Sequence, residues 1–383
     1  QGSIRVQFFI EYIRKVLAIG FMRRLIALVV AILCLCVAVL VRNVDYSELK
    51  VSLEAFVDRK TYEWFIEDCL SHADLKDTIP KRAGDIHVAY ASDAKGFSSL
   101  MSSMLSLSRH LDAPDACVIH IIVPGHDVDE ARQLVECFQV ELDDLLAVPV
   151  VQIHELQEIP LNLSSFREVW MHAWPSGAPL LTPLSFVQIY LEDYLPSISR
   201  VIWLSIDTIV RVDVSRLYHM QMTTALAAVK DSKCVTWRQE YMSTVDQVNP
   251  RLLDNVDNID ARTFNSGVLV IDLELWRKNV IKRKLQAWML YTKGVKGVQL
   301  AMNLEFSDRY DILDWHWNVM GLNMVPPRRC IDEGLILHWT GIDPMGKNIS
   351  DERLQTLYHE VRDPFLPTCK WTKLAMLESD PDE

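Results

Sequence analysis

An aspartate just beyond a buried strand is the strongest chemical signal in the sequence. Residues 200–204 read RVIWL, which predicts a buried strand, and Asp207 follows between apolar neighbours. An unpaired charge in such surroundings is costly, so the carboxylate needs a cation or several hydrogen-bond donors. Asp207 is therefore either a loop cap or buried hydrogen-bond acceptor, or a ligand for a divalent metal that holds a diphosphate.

The elements that would position this carboxylate alternate between apolar strand patterns and amphipathic helix patterns. Helices are predicted at 98–110, 128–138 and 186–194, and strands at 86–91, 117–123, 148–153, 200–204, 225–229 and 267–272. This alternation predicts an α/β fold with a mainly parallel sheet and helices on both faces. Ligands of such sheets bind beyond the carboxyl ends of the strands, which is where Asp207 stands.

Several common classes of protein are excluded by what the sequence lacks. It has no G-x-G-x-x-G after the first strand, no P-loop and no G-x-S-x-G, which argues against dehydrogenases, P-loop NTPases and the usual α/β hydrolases. The net charge of -12 argues against nucleic-acid binding, which needs a basic face. The cysteines form no C-x-x-C pair, so a zinc site is not expected.

Five segments, taken in order along the chain, resemble glycosyltransferase family 8. This family comprises retaining GT-A enzymes that use UDP-sugars, and the resemblance is closest to its plant galacturonosyltransferase-like branch. The segments are residues 85–93 (DIHVAYASD), 201–210 (VIWLSIDTIV), 263–276 (TFNSGVLVIDLELW), 315–322 (WHWNVMGL) and 337–341 (LHWTG). The resemblance extends over residues 85–345 and implies a GT-A, Rossmann-like fold for them.

The resemblance also implies roles for the residues that match the family's motifs. It makes Asp207 and His338 ligands of one manganese or magnesium ion, with their donor atoms about 4–5 Å apart. It gives Asn265 and Gln188 the catalytic, sugar-contacting roles. The remaining matched positions would bind the UDP-sugar donor: Ala89, Asp93, Ser205, Gly341 and Lys347.

Three positions depart from the family pattern. Ser205 replaces the first Asp of Asp-x-Asp, Gln188 stands where the family often has Arg, and Leu300 stands where many members have Asp. The loss of one anionic ligand lowers the metal affinity that we expect. A metal can still be held by the two remaining ligands with phosphate oxygens and water. Alternatively Lys347 or an arginine replaces the metal, or the site is inactive.

Residues 25–41 (LIALVVAILCLCVAVLV) are uninterruptedly apolar and predict a transmembrane anchor about 25 Å long. A signal peptide is the alternative, but no small-residue cleavage site follows. Basic residues precede the run, so the positive-inside rule places residues 1–24 in the cytosol and the bulk of the chain in a lumen.

The predicted organisation follows from this anchor. Residues 42–84 would form a stem, 85–345 the GT-A domain, and 346–383 an extension with an acidic tail. The predicted location is the Golgi or ER membrane, with single-pass type II topology. Because the chain begins with Gln1, another organellar inner membrane after removal of a presequence is the alternative.

Two further features agree with a lumenal placement without establishing it. Asn162-Leu-Ser and Asn348-Ile-Ser are acceptor sequences for N-glycosylation. The dispersed cysteines would allow one or two disulfides in an oxidising lumen.

Two functions from different classes stay open. The first is a membrane-anchored glycosyltransferase that moves a hexose or hexuronic acid from a UDP-sugar to a glycan or other acceptor with retention. The second is an inactive family member that serves as a structural subunit of a larger membrane complex. The departures at Ser205, Gln188 and Leu300 favour the second, whereas Asn265, His338 and Gly341 favour the first.

Overall fold

The computed structural model describes residues 85–173, 181–231, 236–239, 258, 260–322, 328–339, 356 and 359–369. The chain divides into two compact units, Gln1–Glu63 and Trp64–Glu383, and every described residue belongs to the second. The predicted anchor and stem lie outside the described residues, as do Gly341 and Lys347. Among the residues that are described, no helix is long and apolar enough to cross a membrane.

A seven-stranded sheet forms the centre of the described part, in the order β3-β2-β1-β4-β7-β6-β8. Strand β7 is antiparallel to both its neighbours, and the other pairs are parallel, so the prediction of a mainly parallel sheet is confirmed. Two short strands, β5 and β9, form a separate antiparallel pair. The strands are β1 (Ile86–Ala91), β2 (Cys117–Val123), β3 (Val150–Glu155), β4 (Arg200–Leu204), β5 (Thr208–Val210), β6 (Leu226–Lys230), β7 (Phe264–Asp272), β8 (Asp311–Leu313) and β9 (Ile336–His338).

Helices cover both faces of the sheet, because alternate residues of each strand enter two different cores. In β1, Val88 and Tyr90 pack into one core and Ala89 into the other. The helices are α1 (Phe97–Arg109), α2 (Val128–Glu141), α3 (Leu163–Ala173), α4 (Leu191–Tyr194), α5 (Ser215–Tyr218), α6 (Leu273–Lys278), α7 (Ile281–Thr292), α8 (Gly297–Phe306) and α9 (Arg328–Glu333).

Several elements differ from their predicted form or bounds. Strand β7 begins at Phe264, three residues before the predicted start at 267, and α2 continues to Glu141, three residues beyond the predicted end at 138. The segment expected to be a helix at 186–194 is a 3₁₀ helix over Pro183–Tyr190 followed by the single turn α4. A capping box between Thr182 and Ser185 begins the 3₁₀ helix, and Pro183 follows the cap. Strand β3 starts two residues later than its apolar pattern suggested, and as an edge strand it has several exposed residues.

Three histidines form a hydrogen-bonded row across the first three strands. Nδ1 of His87 lies 3.0 Å from Nε2 of His120, whose Nδ1 lies 3.0 Å from Nε2 of His154. Burial, followed by the neighbouring His154 and His87, lowers the pKa of His120 to about 3 from its ordinary value of 6.5. Burial also lowers the pKa of His87, which Asp85 opposes, and that of His154. Neutral rings suit the row, because the middle ring, His120, then donates one of the two hydrogen bonds and accepts the other.

The histidine row is expected to make the protein less stable in acid. Unfolded His120 binds a proton below about pH 6.5, whereas the folded side chain does not until about pH 3, so stability falls as the pH drops through that window. We expect His120→Leu to lose about 2 kcal/mol less unfolding free energy than the wild type between pH 7.5 and 5. Urea denaturation at the two pH values measures the difference, and equal losses in both proteins would contradict it.

A disulfide joins α2 to the C-terminal end of the described part. Cys137 and Cys369 are bonded, with their Cα atoms 5.9 Å apart. One turn further along α2, Glu141 accepts hydrogen bonds from the Cys369 amide at 2.9 Å and from the Thr368 hydroxyl at 2.8 Å. This arrangement fixes the segment that ends at Cys369 against the helix. It is one of the disulfides that the cysteine pattern allowed.

Candidate functional site

The pairing of β5 with β9 brings together two residues that are far apart in the sequence. Thr208 lies opposite His338 in this antiparallel pair, and the Trp339 amide donates to the Asp207 carbonyl at 3.0 Å. On its other side β9 contacts the chain after the Trp315–Asn318 turn, because the His338 amide donates to the Val319 carbonyl at 2.9 Å. Three backbone segments therefore converge on one point.

The side chains of Asp207 and His338 meet at that point, both more than nine-tenths buried. Nε2 of His338 lies 3.2 Å from Oδ1 of Asp207. The contact nevertheless lacks hydrogen-bond geometry, and Oδ1 receives no hydrogen bond from the described residues. A buried carboxylate oxygen left in this way is costly unless a cation accompanies it.

A chain of hydrogen bonds determines which ring nitrogen of His338 carries the hydrogen. The Gly267 amide can only donate, so the Asn265 atom that it contacts at 2.9 Å must be the oxygen Oδ1. That oxygen also accepts from Nδ2 of Asn318 at 3.0 Å, which leaves Oδ1 of Asn318 to accept from Nδ1 of His338 at 2.9 Å. Nδ1 therefore carries the hydrogen, and in the neutral ring Nε2 presents a lone pair.

This arrangement fits a divalent cation. A lone pair on Nε2 and a carboxylate oxygen face the same point, and neither can donate a hydrogen bond to the other. Two ligands at right angles on a cation, with bonds of about 2.1 to 2.3 Å, are about 3.0 to 3.3 Å apart. The 3.2 Å separation agrees with that spacing. It is shorter than the 4–5 Å predicted, a separation that corresponds to ligands nearly opposite each other on the cation.

Gly267 makes room for the histidine ring. A Cβ built on Gly267 would lie 2.7 Å from Nε2 and 2.8 Å from Nδ1 of His338. The ring therefore rests directly on the backbone of β7. The carbonyl of Gly267 also accepts from the Ser205 amide at 2.7 Å, which joins the end of β4 to this floor. The Phe-Asn-Ser-Gly sequence thus supplies both the backbone on which the His338 ring rests and the start of the hydrogen-bond chain.

Amide side chains also contact the first residues of β7, next to Gly267. Nε2 of Gln188 donates to the Ser266 carbonyl at 3.0 Å, and its buried Oε1 has no hydrogen-bond partner among the described residues. Oε1 of Gln299 accepts from the Ser266 amide at 3.2 Å and lies 3.4 Å from Nδ2 of Asn265. Asn303 brackets Phe264 by accepting from its amide at 2.9 Å and donating to its carbonyl at 3.0 Å.

The described residues that were predicted to bind the donor differ in their distance along the chain from Asp207 and in their burial. Ser205 is half-buried at the end of β4, two residues before the metal-ligand candidate, and its hydroxyl makes no hydrogen bond to the described residues. Asp93 follows β1 and caps the next turn, with Oδ1 accepting from the Gly96 amide at 3.2 Å. Ala89 is fully buried inside β1, so its methyl group is part of the core and does not line a cleft.

Three supporting residues were not identified from the sequence. Asn318 orients His338, Gln299 holds Ser266, and Asn303 holds Phe264. Asn318 lies in a segment that resembles the family, and Gln299 is adjacent to Leu300, a position where many family members have Asp. The sequence could have marked these three residues, because each is a polar residue in a mostly apolar segment.

Replacing Asn318 should weaken divalent-cation binding without removing a ligand. We expect Asn318→Leu to reduce manganese affinity about 10- to 100-fold, because His338 loses the partner that fixes its ring and tautomer. Asn318→Asp can still accept from Nδ1 but no longer donates to Asn265, so a smaller loss is expected. Manganese titration followed by electron paramagnetic resonance gives the affinities. Nitrogen NMR of the His338 ring reports the tautomer, and an Nε2–H form in the wild type would contradict the assignment.

The described part of the chain has a GT-A-like α/β fold, and the candidate site lies at the ends of its strands. Among solved structures, the galactosyltransferase LgtC in complex with donor and acceptor sugar analogues superposes with a TM-score of 0.51 at 17% identity, covering 74% of this chain and 97% of that one. The glycosyltransferase GlyE of Streptococcus pneumoniae gives 0.50 at 18% identity, over 77% and 63% of the respective chains. At these identities the likeness shows the fold.

Sequence comparisons give the family. The family model described as Glycosyl transferase family 8 matches residues 61–344. "Probable galacturonosyltransferase-like 9" of Arabidopsis thaliana is 26% identical over 284 residues, 72% of this chain and 70% of that protein. "Glycosyltransferase 8 domain-containing protein 1" of Xenopus laevis is 28% identical over 200 residues, 46% of this chain and 55% of that protein. The chain belongs to glycosyltransferase family 8, which implies a nucleotide-sugar donor and a glycan acceptor, and it is similar to galacturonosyltransferase-like proteins of a plant.

Proposed function

We propose that the protein transfers a hexose or hexuronic acid from a UDP-sugar to a glycan or other acceptor with retention, using a divalent metal held by Asp207 and His338. The observation that carries this is the buried pair in which a lone pair and a carboxylate oxygen face one point 3.2 Å apart. Burying such a pair is costly unless a cation compensates the carboxylate. The names of the plant relatives support a uronic acid as one candidate sugar.

The chemistry requires that negative charge developing on the UDP leaving group be stabilised. A divalent metal at this site would supply that charge, with Mn²⁺ or Mg²⁺ as the candidates. Asp207 and His338 would hold it, and phosphate oxygens and water would occupy the position that Ser205 leaves without a carboxylate. Gly341 and Lys347 are proposed to approach the diphosphate, as the family resemblance implies.

The sugar is proposed to bind against the first residues of β7. Oε1 of Gln188 is the acceptor that the described residues leave free for a sugar hydroxyl. Asn265 is a less direct contributor than the sequence suggested, because both lone pairs of its Oδ1 are used by Gly267 and Asn318. We propose that Asn265 supports the pocket and orients the metal ligand. Attack by the acceptor from the face of the departing UDP would then depend on positioning and electrostatics.

The placement of the protein remains part of the proposal. We place it in the Golgi or ER membrane, anchored by residues 25–41 with the catalytic domain in the lumen. The apolar run, the basic residues before it and the Cys137–Cys369 disulfide support this orientation.

Calorimetric titration of the purified full chain with UDP, with and without Mn²⁺, tests the proposal. We expect UDP binding that needs the metal and is lost on chelation, and slow hydrolysis of the matching UDP-sugar to a product with retained anomeric configuration. If chelation leaves UDP binding unchanged, then Lys347 or an arginine, and not a metal, neutralises the diphosphate. No binding of UDP under either condition would favour the inactive structural subunit, which the serine at position 205 already suggests.

A further inference from the structure

We propose that Asn162 carries an N-linked glycan. The site is separate from the proposed donor site, and the inference rests on the lumenal placement of the domain, not on its catalytic activity. The acceptor sequence is Asn162-Leu163-Ser164, in which the middle residue is not proline. Such triplets also arise by chance, so the geometry of the asparagine decides whether this one is usable.

The side chain of Asn162 is exposed just before the first turn of α3. Its Oδ1 accepts hydrogen bonds from the Ser165 amide at 3.1 Å and from the Ser164 hydroxyl at 2.7 Å. This is the work of a helix N-cap, which needs only the oxygen. Nδ2, the atom to be glycosylated, makes no hydrogen bond to the described residues.

The neighbouring residues anchor Asn162 at the start of α3 and leave the surface around its side chain exposed to solvent. Leu161 and Phe166, on either side of the acceptor triplet, are buried in the same core, which anchors the loop and the first turn of the helix. Ser164 and Ser165 are exposed, and so are the charged residues Arg167 and Glu168. A hydrophilic glycan on Asn162 would therefore project from a polar surface and displace no core packing.

The transfer conserves this local structure. The new bond joins Nδ2 of Asn162 to the first sugar carbon of a lipid-diphosphate-linked oligosaccharide. The bond between that carbon and the diphosphate breaks, the lipid diphosphate leaves, and Nδ2 gives up one of its two hydrogens. Oδ1 is untouched and continues to cap α3. The modified side chain thus keeps both hydrogen bonds that the unmodified one makes.

An independent feature indicates a compartment in which such a transfer occurs. The Cys137–Cys369 disulfide joins α2 to the segment that ends at Cys369 and does not involve α3. Structural disulfides persist in oxidising compartments such as the ER lumen. N-glycosylation takes place on lumenal domains of the same pathway. The disulfide and the exposed acceptor therefore point to one compartment for separate chemical reasons.

Four variants of the full chain, expressed in a eukaryotic host in an Asn348→Gln background, test the proposal. Asn162→Asp retains a good N-cap but cannot be glycosylated, so the helix is preserved. Ser164→Ala destroys the acceptor sequence. Ser165→Ala, at the adjacent exposed position outside the triplet, is the matched control, and the unaltered Asn162 chain is the reference.

Mobility before and after peptide-N-glycosidase F, and non-reducing electrophoresis for the disulfide, are the two readouts. We expect one glycosidase-sensitive step in the reference and in Ser165→Ala, and none in Asn162→Asp or Ser164→Ala, with the disulfide formed in all four. A formed disulfide with no sensitive step overturns the glycan at Asn162 while leaving the lumenal placement. Absence of both overturns the glycan and the placement together. The UDP titration is a separate measurement and is not affected by either outcome.

Discussion

The Asp207→Ala variant is expected to lose manganese-dependent UDP binding by at least about 100-fold, and sugar transfer with it. Removing a ligand should cost more than disturbing its support, for which losses of about 10- to 100-fold are usual. Ser205 already lacks a carboxylate, so Asp207 supplies the only anionic ligand that the described residues bring to this point. Calorimetry with UDP and Mn²⁺ measures the loss.

A second variant at the same position distinguishes a metal site from an ordinary ion pair. In Asp207→Asn, the amide can donate a hydrogen bond to the lone pair on Nε2 of His338. Without metal, we therefore expect this variant to be more stable than the wild type by about 1–3 kcal/mol, since a buried acceptor is no longer left unpaired. Manganese should stabilise the wild type and not the variant.

The opposite result has a clear meaning. If Asp207→Asn is less stable than the wild type in chelator, then a charged imidazole pairs with the carboxylate and the site was built as a salt bridge. The matched control is Asp213→Asn, on a half-buried aspartate whose oxygens cap the Ser215 and Asp112 amides. It should alter stability modestly and leave UDP binding unchanged.

Gly267→Ala is expected to have the largest effect of any single methyl group in the site. The added Cβ would overlap the ring of His338, with Nε2 only 2.7 Å away. The ring has little room to retreat, because Asn318 holds its Nδ1 and the Val319 carbonyl holds the backbone amide of His338. Strand β7 is held in turn by β4 and β6 on either side. Overpacking of this kind costs about 1–3 kcal/mol or more, and the displaced ring should lose the metal.

Thermal unfolding and manganese titration of the purified variant measure these two effects. Gly125→Ala is a matched control, since its new Cβ would meet the exposed side chain of Glu155, whose Cδ is 3.1 Å away and free to move. That variant should keep its metal affinity and most of its stability. A Gly267→Ala protein with wild-type manganese affinity would show that His338 is not a ligand.

The sequence predicted the strands well because buried strands have a simple pattern. The apolar runs of β1, β2 and β4 identified them within a residue, since both faces of a central strand are covered. The sequence did not predict the 3₁₀ form of Pro183–Tyr190, because its apolar content is that of any buried helix. Hydrophobic periodicity alone does not distinguish a short 3₁₀ helix from an α-helix. The antiparallel direction of β7 depends on its partners, which a local pattern does not contain.

The sequence identified the two candidate metal ligands but not the residues that support them. Periodicity marked Asp207, and only the family resemblance joined it to His338, because the β5–β9 pairing depends on contacts distant in sequence. Asn318 acquires its role from the direction of a hydrogen bond that starts at the Gly267 amide. That direction is a property of the folded arrangement, so no reading of residue types alone could supply it.

The hydrogen-bond chain from Gly267 to His338 also bears on how this protein could diverge. Each link has a fixed direction, so a change at Asn265 or Asn318 reverses or breaks the next link and must be matched by a second change. Ser205 is outside this chain, and its hydroxyl makes no hydrogen bond to the described residues. The residue at position 205 can therefore change between an acid and serine without a compensating change in this chain of hydrogen bonds, so metal affinity can vary while the support of His338 stays the same.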